Sequence, residues 1–101
     1  MYYLYILYSF GSDIYYLGHS DNPLARFIQH NNNEGDTFTG KHKPWELVAV
    51  FECGDSRSQA LEIERFIKKQ KSRILIKKLI DPLFVPKGKL AQLVRVSHVR
   101  D

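Results

Sequence analysis

Tyr2-Tyr3-Leu4-Tyr5-Ile6-Leu7-Tyr8-Ser9-Phe10-Gly11-Ser12-Asp13-Ile14-Tyr15-Tyr16-Leu17-Gly18 carries all six tyrosines of the chain. Two aromatic and aliphatic runs flank Phe10-Gly11-Ser12-Asp13, whose residues supply turn chemistry. Such runs favour pleated, half-buried backbone. Residues 2–8 and 14–18 are therefore expected to pair as a hairpin. The first run is short and has no basic flank, so it reads as a strand rather than a secretion signal.

Working outward, Asp21-Asn22-Pro23 offers a capping side chain followed by a proline where a helix tolerates one. Leu24, Phe27 and Ile28 have the spacing of one buried face, which predicts a helix to about residue 31. The polar run 31–43, with Gly35 and Gly40, is expected to be an exposed loop. Residues 45–53 alternate Trp45, Leu47, Ala49, Phe51 and Cys53 against Glu46, Val48, Val50 and Glu52, a third strand with one face buried. Ser56-Arg57-Ser58-Gln59 matches a capping box and starts a second helix to about Lys71. Ser72 caps a third through Ile80, closed by Asp81-Pro82. The tail after Pro86 either forms a last helix or drapes over the sheet. The order β-β-α-β-α-α implies an α/β domain, a small three-stranded, mainly antiparallel sheet flanked by helices. It occupies residues 1–82, with 83–101 an extension of unknown role.

At 101 residues the chain holds one modest core. Hydrophobic residues at 44% and charged residues at 26% exclude a disordered or fibrous class. The single Cys53 excludes an internal disulfide framework and favours a cytoplasmic address. No apolar run is long enough to span a membrane. Charge is unevenly spread: residues 1–50 have a net of −2 and residues 51–101 a net of +6. The window 65–78 has seven basic residues and no acidic one. A run of this kind suits a polyanion, because cations that meet phosphates release condensed counterions. It equally suits a solvated helix face.

Several chemistries are absent. No Gly-rich phosphate loop, His-Glu-x-x-His, cysteine pair or Gly-x-Ser-x-Gly occurs. His19, His30, His42 and His98 lack any familiar zinc spacing. Cys53 reads as a small buried hydrophobe. What remains is a scattered set. Arg26 and His30 are four apart and share a helix face, either as a solvated edge or as part of a site. With Ala60 at zero on a helical wheel, Glu64 falls at about 40°, inside the apolar stripe, and Glu62 at about 200°, on the wet side. A carboxylate there must pair with a cation side chain or bind a metal. Tyr3 and Tyr5 share one face of the first strand, with Tyr16 on its partner. They serve either packing or, beside a metal, removal of a proton from water.

Tyr3-Leu4-Tyr5, followed eleven residues after Tyr5 by Tyr16-Leu17-Gly18, resembles the paired signature of the GIY-YIG nuclease family. Asn22, Arg26 and His30 resemble the helix that follows in the family, Trp45-Glu46-Leu47-Val48 its next strand, and residues 60–68 its metal-site helix. The likeness covers roughly residues 2–80 and is greatest to short bacterial members and to the N-terminal domain of the excision-repair nuclease subunit. Tyr3 replaces the first Gly, Leu4 and Leu17 replace the two Ile, His19 stands where excision-repair relatives have Lys, and Ile76 stands where larger members have Asn.

The resemblance implies one-metal phosphodiester hydrolysis of DNA, RNA not being excluded. Glu64 would hold one Mg²⁺ or Mn²⁺, and Arg26 would neutralise the phosphate. Tyr5 or Tyr16 would help activate water, and His30 would orient phosphate or shuttle a proton. His19, Lys68, Lys69 and Lys71 would hold the nucleic acid. It implies a structure-specific endonuclease of repair or recombination type, with a protein partner as one source of specificity. Two alternatives stay open: a non-catalytic nucleic-acid-binding module on the same fold, and a protein-interaction domain docking through its aromatic strand.

Overall fold

The computed structural model describes residues 1–33 and 37–96; Gly35 of the expected loop and His98 lie outside the described residues. Strand β1 (Tyr3–Ser9) pairs antiparallel with β2 (Ile14–Ser20), Tyr5 facing Gly18 across the hairpin. At the turn Asp13 has a positive φ of 53° and accepts a hydrogen bond from the Tyr8 hydroxyl at 2.7 Å. On its other side β1 pairs antiparallel with β3 (Glu46–Glu52).

The sheet has four strands, not the three expected, in the order β2-β1-β3-β4. Strand β4 (Val94–Arg95) lies in the tail and pairs antiparallel with β3. Two residues carry no readable alternation, so this strand has no sequence signal. Long-range bonds hold it instead: the Arg95 guanidinium donates to the carbonyls of Leu79 and Asp81 and lies over the Phe51 ring. The tail therefore drapes along the sheet edge and adds Leu90 and Leu93 to the core.

Strand β3 also departs from expectation. Its register against β1 shifts between Ile6 and Leu7, with Ile6 opposite Ala49 and Leu7 opposite Leu47. Val48 is the extra residue of a bulge, which breaks period-two alternation. Trp45 and Leu47 consequently pack on one side of the sheet and Ala49, Phe51 and Cys53 on the other, while Val48 and Val50 are buried too. The strand is covered on both faces, not one.

Helix α1 (Pro23–Asn32) and the one-turn α2 (Phe38–Lys41) cover the face bearing Tyr5, Leu7, Trp45 and Val50. Helix α2 corrects the expected loop. Thr37 caps it by accepting from the Gly40 N–H, and the Trp45 indole donates to the Thr39 carbonyl at 2.9 Å. Four residues are too few to show a period. Helix α3 (Arg57–Gln70) starts at the expected capping box, in which Ser56 accepts from the Gln59 N–H and Gln59 returns to the Ser56 N–H. With α4 (Arg73–Ile80) it covers the opposite face, bringing Ala60, Ile63, Ile67 and Leu79 onto Leu4, Ile6 and Leu17. Among the described residues no helix is long and apolar enough to cross a membrane.

Gly18 is required by its partner. The Tyr5 ring lies across it, and a Cβ at position 18 would stand 2.5 Å from the Tyr5 hydroxyl oxygen and 2.6 Å from the carbon bearing it. Tyr5 is 1% exposed and cannot move aside freely. Gly18→Ala is expected to lower unfolding stability by about 1–3 kcal/mol, the usual cost of overpacking. An unchanged urea midpoint at constant m-value would contradict this close approach.

Candidate active site

The hairpin, α1 and α3 converge on a cleft of about 410 Å³ lined by Tyr5, Tyr16, His19, Arg26, Arg57 and Glu64, with Gly18 in its wall. Asn22 makes Arg26 available there. Its side chain caps α1 by accepting from the Ala25 N–H at 3.1 Å, which fixes the first turn on which Arg26 stands. No carboxylate forms an ion pair with Arg26 among the described residues, and its Nε is buried without a hydrogen-bond partner. Buried donors are rarely left unpaired. The cleft is therefore prepared for an acceptor that none of the described residues provides.

His30, one helical turn after Arg26, is 4% exposed and lies behind Tyr5 rather than in the cleft lining. Its Nε2 is 3.0 Å from the Tyr5 hydroxyl oxygen. Burial, followed by the positive charge of Arg26, holds the imidazole below its usual pKa, so it is neutral near pH 7. Burial raises the pKa of Tyr5, while the nearby Arg26 guanidinium pulls it down. Guanidinium can only donate hydrogen bonds. A Tyr5 oxygen that accepts from Arg26 would have its proton free for His30 Nε2, in the tautomer that puts the ring's own proton on the buried Nδ1, which has no partner among the described residues. Tyr16 completes the cluster, its ring centroid 4.8 Å from that of His30 and 6.3 Å from that of Tyr5.

Glu64 sits where the helical wheel puts it, its side chain 12% exposed against 66% for Glu62. Its partners are His19, with Nδ1 2.7 Å from Oε1, and Lys68, with Nζ 2.8 Å from Oε2. Both carboxylate oxygens are engaged. The two partners are unequal: the His19 side chain is 11% exposed, whereas that of Lys68 is 51% exposed and swings from the same helix, four residues on. An exposed pair of this kind contributes about 0–1 kcal/mol, so Lys68 is the replaceable one.

The donor chemistry fits a hard cation. Mg²⁺ and its like take one or two carboxylates and keep several waters, and the cleft offers Glu64 and the exposed Asp21 with the phenols of Tyr5 and Tyr16. No cluster of three or more His, Cys, Asp or Glu exists among the described residues, so an all-protein metal cage is not formed.

Of the other basic candidates, Lys69 and Lys71 are exposed. Lys71 lines a second cavity with Lys68, Arg73 and Ile76. Arg57 is a cleft residue that the sequence reading missed. Its only signal is that it lies seven residues before Glu64, two helical turns and hence the same face.

Depression of the His30 pKa has a signed consequence. Above its usual value of about 6.5 both folded and unfolded states are neutral there and its contribution is fully present. Below it the unfolded chain takes up the proton first, so stability is lost as pH falls. Urea unfolding at a series of pH values is expected to show this decline below pH 6.5, with a shallower slope in His30→Gln. Equal slopes would contradict it.

The model of the GIY-YIG catalytic domain matches residues 1–79. The chain is also similar to the UPF0213 protein FN1575 of Fusobacterium nucleatum, with 39% identity over 80 residues, 75% of this chain and 78% of that protein. All the cleft residues described above fall inside the matched span. A hairpin that brings two tyrosines, an arginine without an ion pair and a half-buried glutamate to one cleft thus coincides with a family match over most of the chain, which belongs to the GIY-YIG family of nuclease-type catalytic domains.

Proposed function

We propose that the chain is a metal-dependent endonuclease that hydrolyses phosphodiester bonds of DNA with branched or nicked structure, in cytoplasmic repair or recombination. The observation that carries this reading is the buried, unpaired Nε of Arg26 in a cleft shared with Glu64 and two phenols. A phosphate oxygen satisfies that N–H, and the guanidinium neutralises charge that grows as phosphorus is attacked. Tyr5 and His30 act as a relay. The Tyr5 oxygen accepts a proton from the attacking water while its own proton passes to His30 Nε2. A phenol alone is a poor base for this, since burial raises its pKa. A neutral imidazole behind it supplies the acceptor. Glu64 would hold Mg²⁺ or Mn²⁺, with His19 orienting the carboxylate through Oε1 and Lys68 giving up Oε2. When bound, the ion supplies Lewis-acid stabilisation of the phosphate and the leaving oxygen.

One observation favours a second reading, a binding module without catalysis: both oxygens of Glu64 already have cationic or donor partners. The two readings part on a labelled panel of single strand, duplex, flap, fork and four-way junction with Mg²⁺ or Mn²⁺. The nuclease reading predicts metal-dependent cuts, reduced about 10²–10³-fold or more in Arg26→Ala and Glu64→Ala. DNA that is retarded but uncut in every form, equally by wild type and Glu64→Ala, supports the binding module.

Displacement of Lys68 has its own readout. Lys68→Met is expected to tighten Mn²⁺ binding in the absence of DNA by about two- to fivefold, the equivalent of an exposed ion pair. Electron paramagnetic resonance of free Mn²⁺ measures this directly. Unchanged or weaker binding would show that Lys68 does not compete for the carboxylate.

A further inference from the structure

Arg57 is the one cation of the cleft that none of the chemistry above employs. It is exposed at the first position of α3 and makes no hydrogen bond or ion pair with any described residue. Its position is electrostatically unfavourable. The amino end of a helix carries partial positive charge that repels a cation, and the first turn of α3 holds no acidic residue to compensate. Alongside the carboxylates of Asp21 and Glu64, the cleft is lined by the two guanidiniums of Arg26 and Arg57. An anion placed between them relieves both.

The spacing along α3 makes this more specific. Arg57 precedes Glu64 by seven residues and Lys71 follows it by seven, about 10 Å of helix rise in each direction. On that flank Lys68 pairs with Glu64, and Lys71, without an ion pair among the described residues, lines a second cavity together with Lys68. Lys71 also stands in a costly position. It caps α3 with φ 49° and ψ 40°, a left-handed conformation usually given to glycine. Two cations thus stand seven residues to either side of Glu64, Arg57 at the helix end whose partial charge disfavours it and Lys71 at the end whose partial charge favours it but in a left-handed backbone conformation. A duplex lying parallel to α3 advances about 3.4 Å along its axis for each phosphate of one strand, so roughly three nucleotides to either side of Glu64 span the distance to each cation.

We propose that Arg57 is a phosphate-positioning residue, and that the substrate strand runs along α3 from Arg57 to Lys71, passing through the cleft rather than ending in it. The inference rests on the cleft being a nucleic-acid site and goes beyond it by giving the strand a path. The site accepts an internal phosphodiester with backbone on both sides. A terminal nucleotide, engaging only one flank, is a poor substrate.

The test is binding without cleavage, by fluorescence anisotropy of a fluorescein-labelled duplex of about thirty base pairs, in EDTA, over a series of salt concentrations. Each phosphate contact contributes about 0.9 to the log–log salt slope for duplex. Arg57→Ala is expected to reduce the slope by about one and weaken binding severalfold, with Arg57→Lys retaining most of it. Lys87→Ala removes the same charge from an exposed residue that lines neither cavity, and is expected to leave the slope unchanged. A wild-type slope of several, unaltered in Arg57→Ala or lowered equally in Lys87→Ala, overturns the path while leaving the nucleic-acid site intact. Salt-independent or absent binding by wild type overturns both. Circular dichroism of each variant confirms folding, which Arg57 does not support through any hydrogen bond or ion pair with a described residue.

Discussion

Much of this molecule depends on one contact, the close approach of the Tyr5 ring to Gly18. Only a residue without a side chain lets the ring cross to the neighbouring strand. Having crossed, its hydroxyl reaches His30 on α1 and stands beside Arg26. The contact therefore links the hairpin to α1, buries an imidazole in neutral form and leaves an arginine side chain facing the cleft. Tyr5 belongs at once to the second core cluster, with Leu7, Trp45 and Val50, and to the site. Packing precision and chemical precision are the same requirement here, because a ring fixed in a close-packed layer holds its hydroxyl in one place.

The second organising feature is how charge is balanced around α3. Glu64 lies among apolar neighbours, where an unpaired carboxylate is costly. Its two partners differ in how firmly they are held: His19 is enclosed between β2 and α3, and Lys68 reaches in from solvent. The carboxylate is thus neutralised within the chain, with one of its two partners loosely held. Arg26 forms no ion pair among the described residues, and its charge adds to burial in lowering the pKa of His30 and offsets the rise that burial imposes on Tyr5. Charges within the cleft act through short distances and partial exclusion of water, which strengthens them relative to the exposed basic window 65–78.

Legibility from the sequence followed the length of each signal. The hairpin, the capping box at Ser56 and the position of Glu64 on its helix each rest on local patterns, and each has the expected place. Strand β4, helix α2 and the bulge at Val48 rest on long-range partners: Arg95 on carbonyls at the end of α4, Trp45 on Thr39, and β3 on the register of β1. None of these leaves a periodic trace. Within the site, Arg26, Tyr5, Tyr16 and Glu64 line one cleft as a group, whereas the burial of His30 behind Tyr5 and the pairing of His19 with Glu64 needed the three-dimensional arrangement. Arg57 was invisible for another reason. A lone arginine beside two serines has no pattern, and only its spacing from Glu64 ties it to the cleft.

The most direct measurement of the central claim is the ionisation and tautomer of His30, by ¹⁵N nuclear magnetic resonance of the histidine ring nitrogens at pH 7. The account predicts a neutral ring with its proton on Nδ1 and an Nε2 that accepts a hydrogen bond, with the Nε2 shift moving in Tyr5→Phe. A charged imidazolium, a proton on Nε2, or an Nε2 shift indifferent to Tyr5→Phe would contradict it, and with it the passage of a proton from Tyr5 to His30.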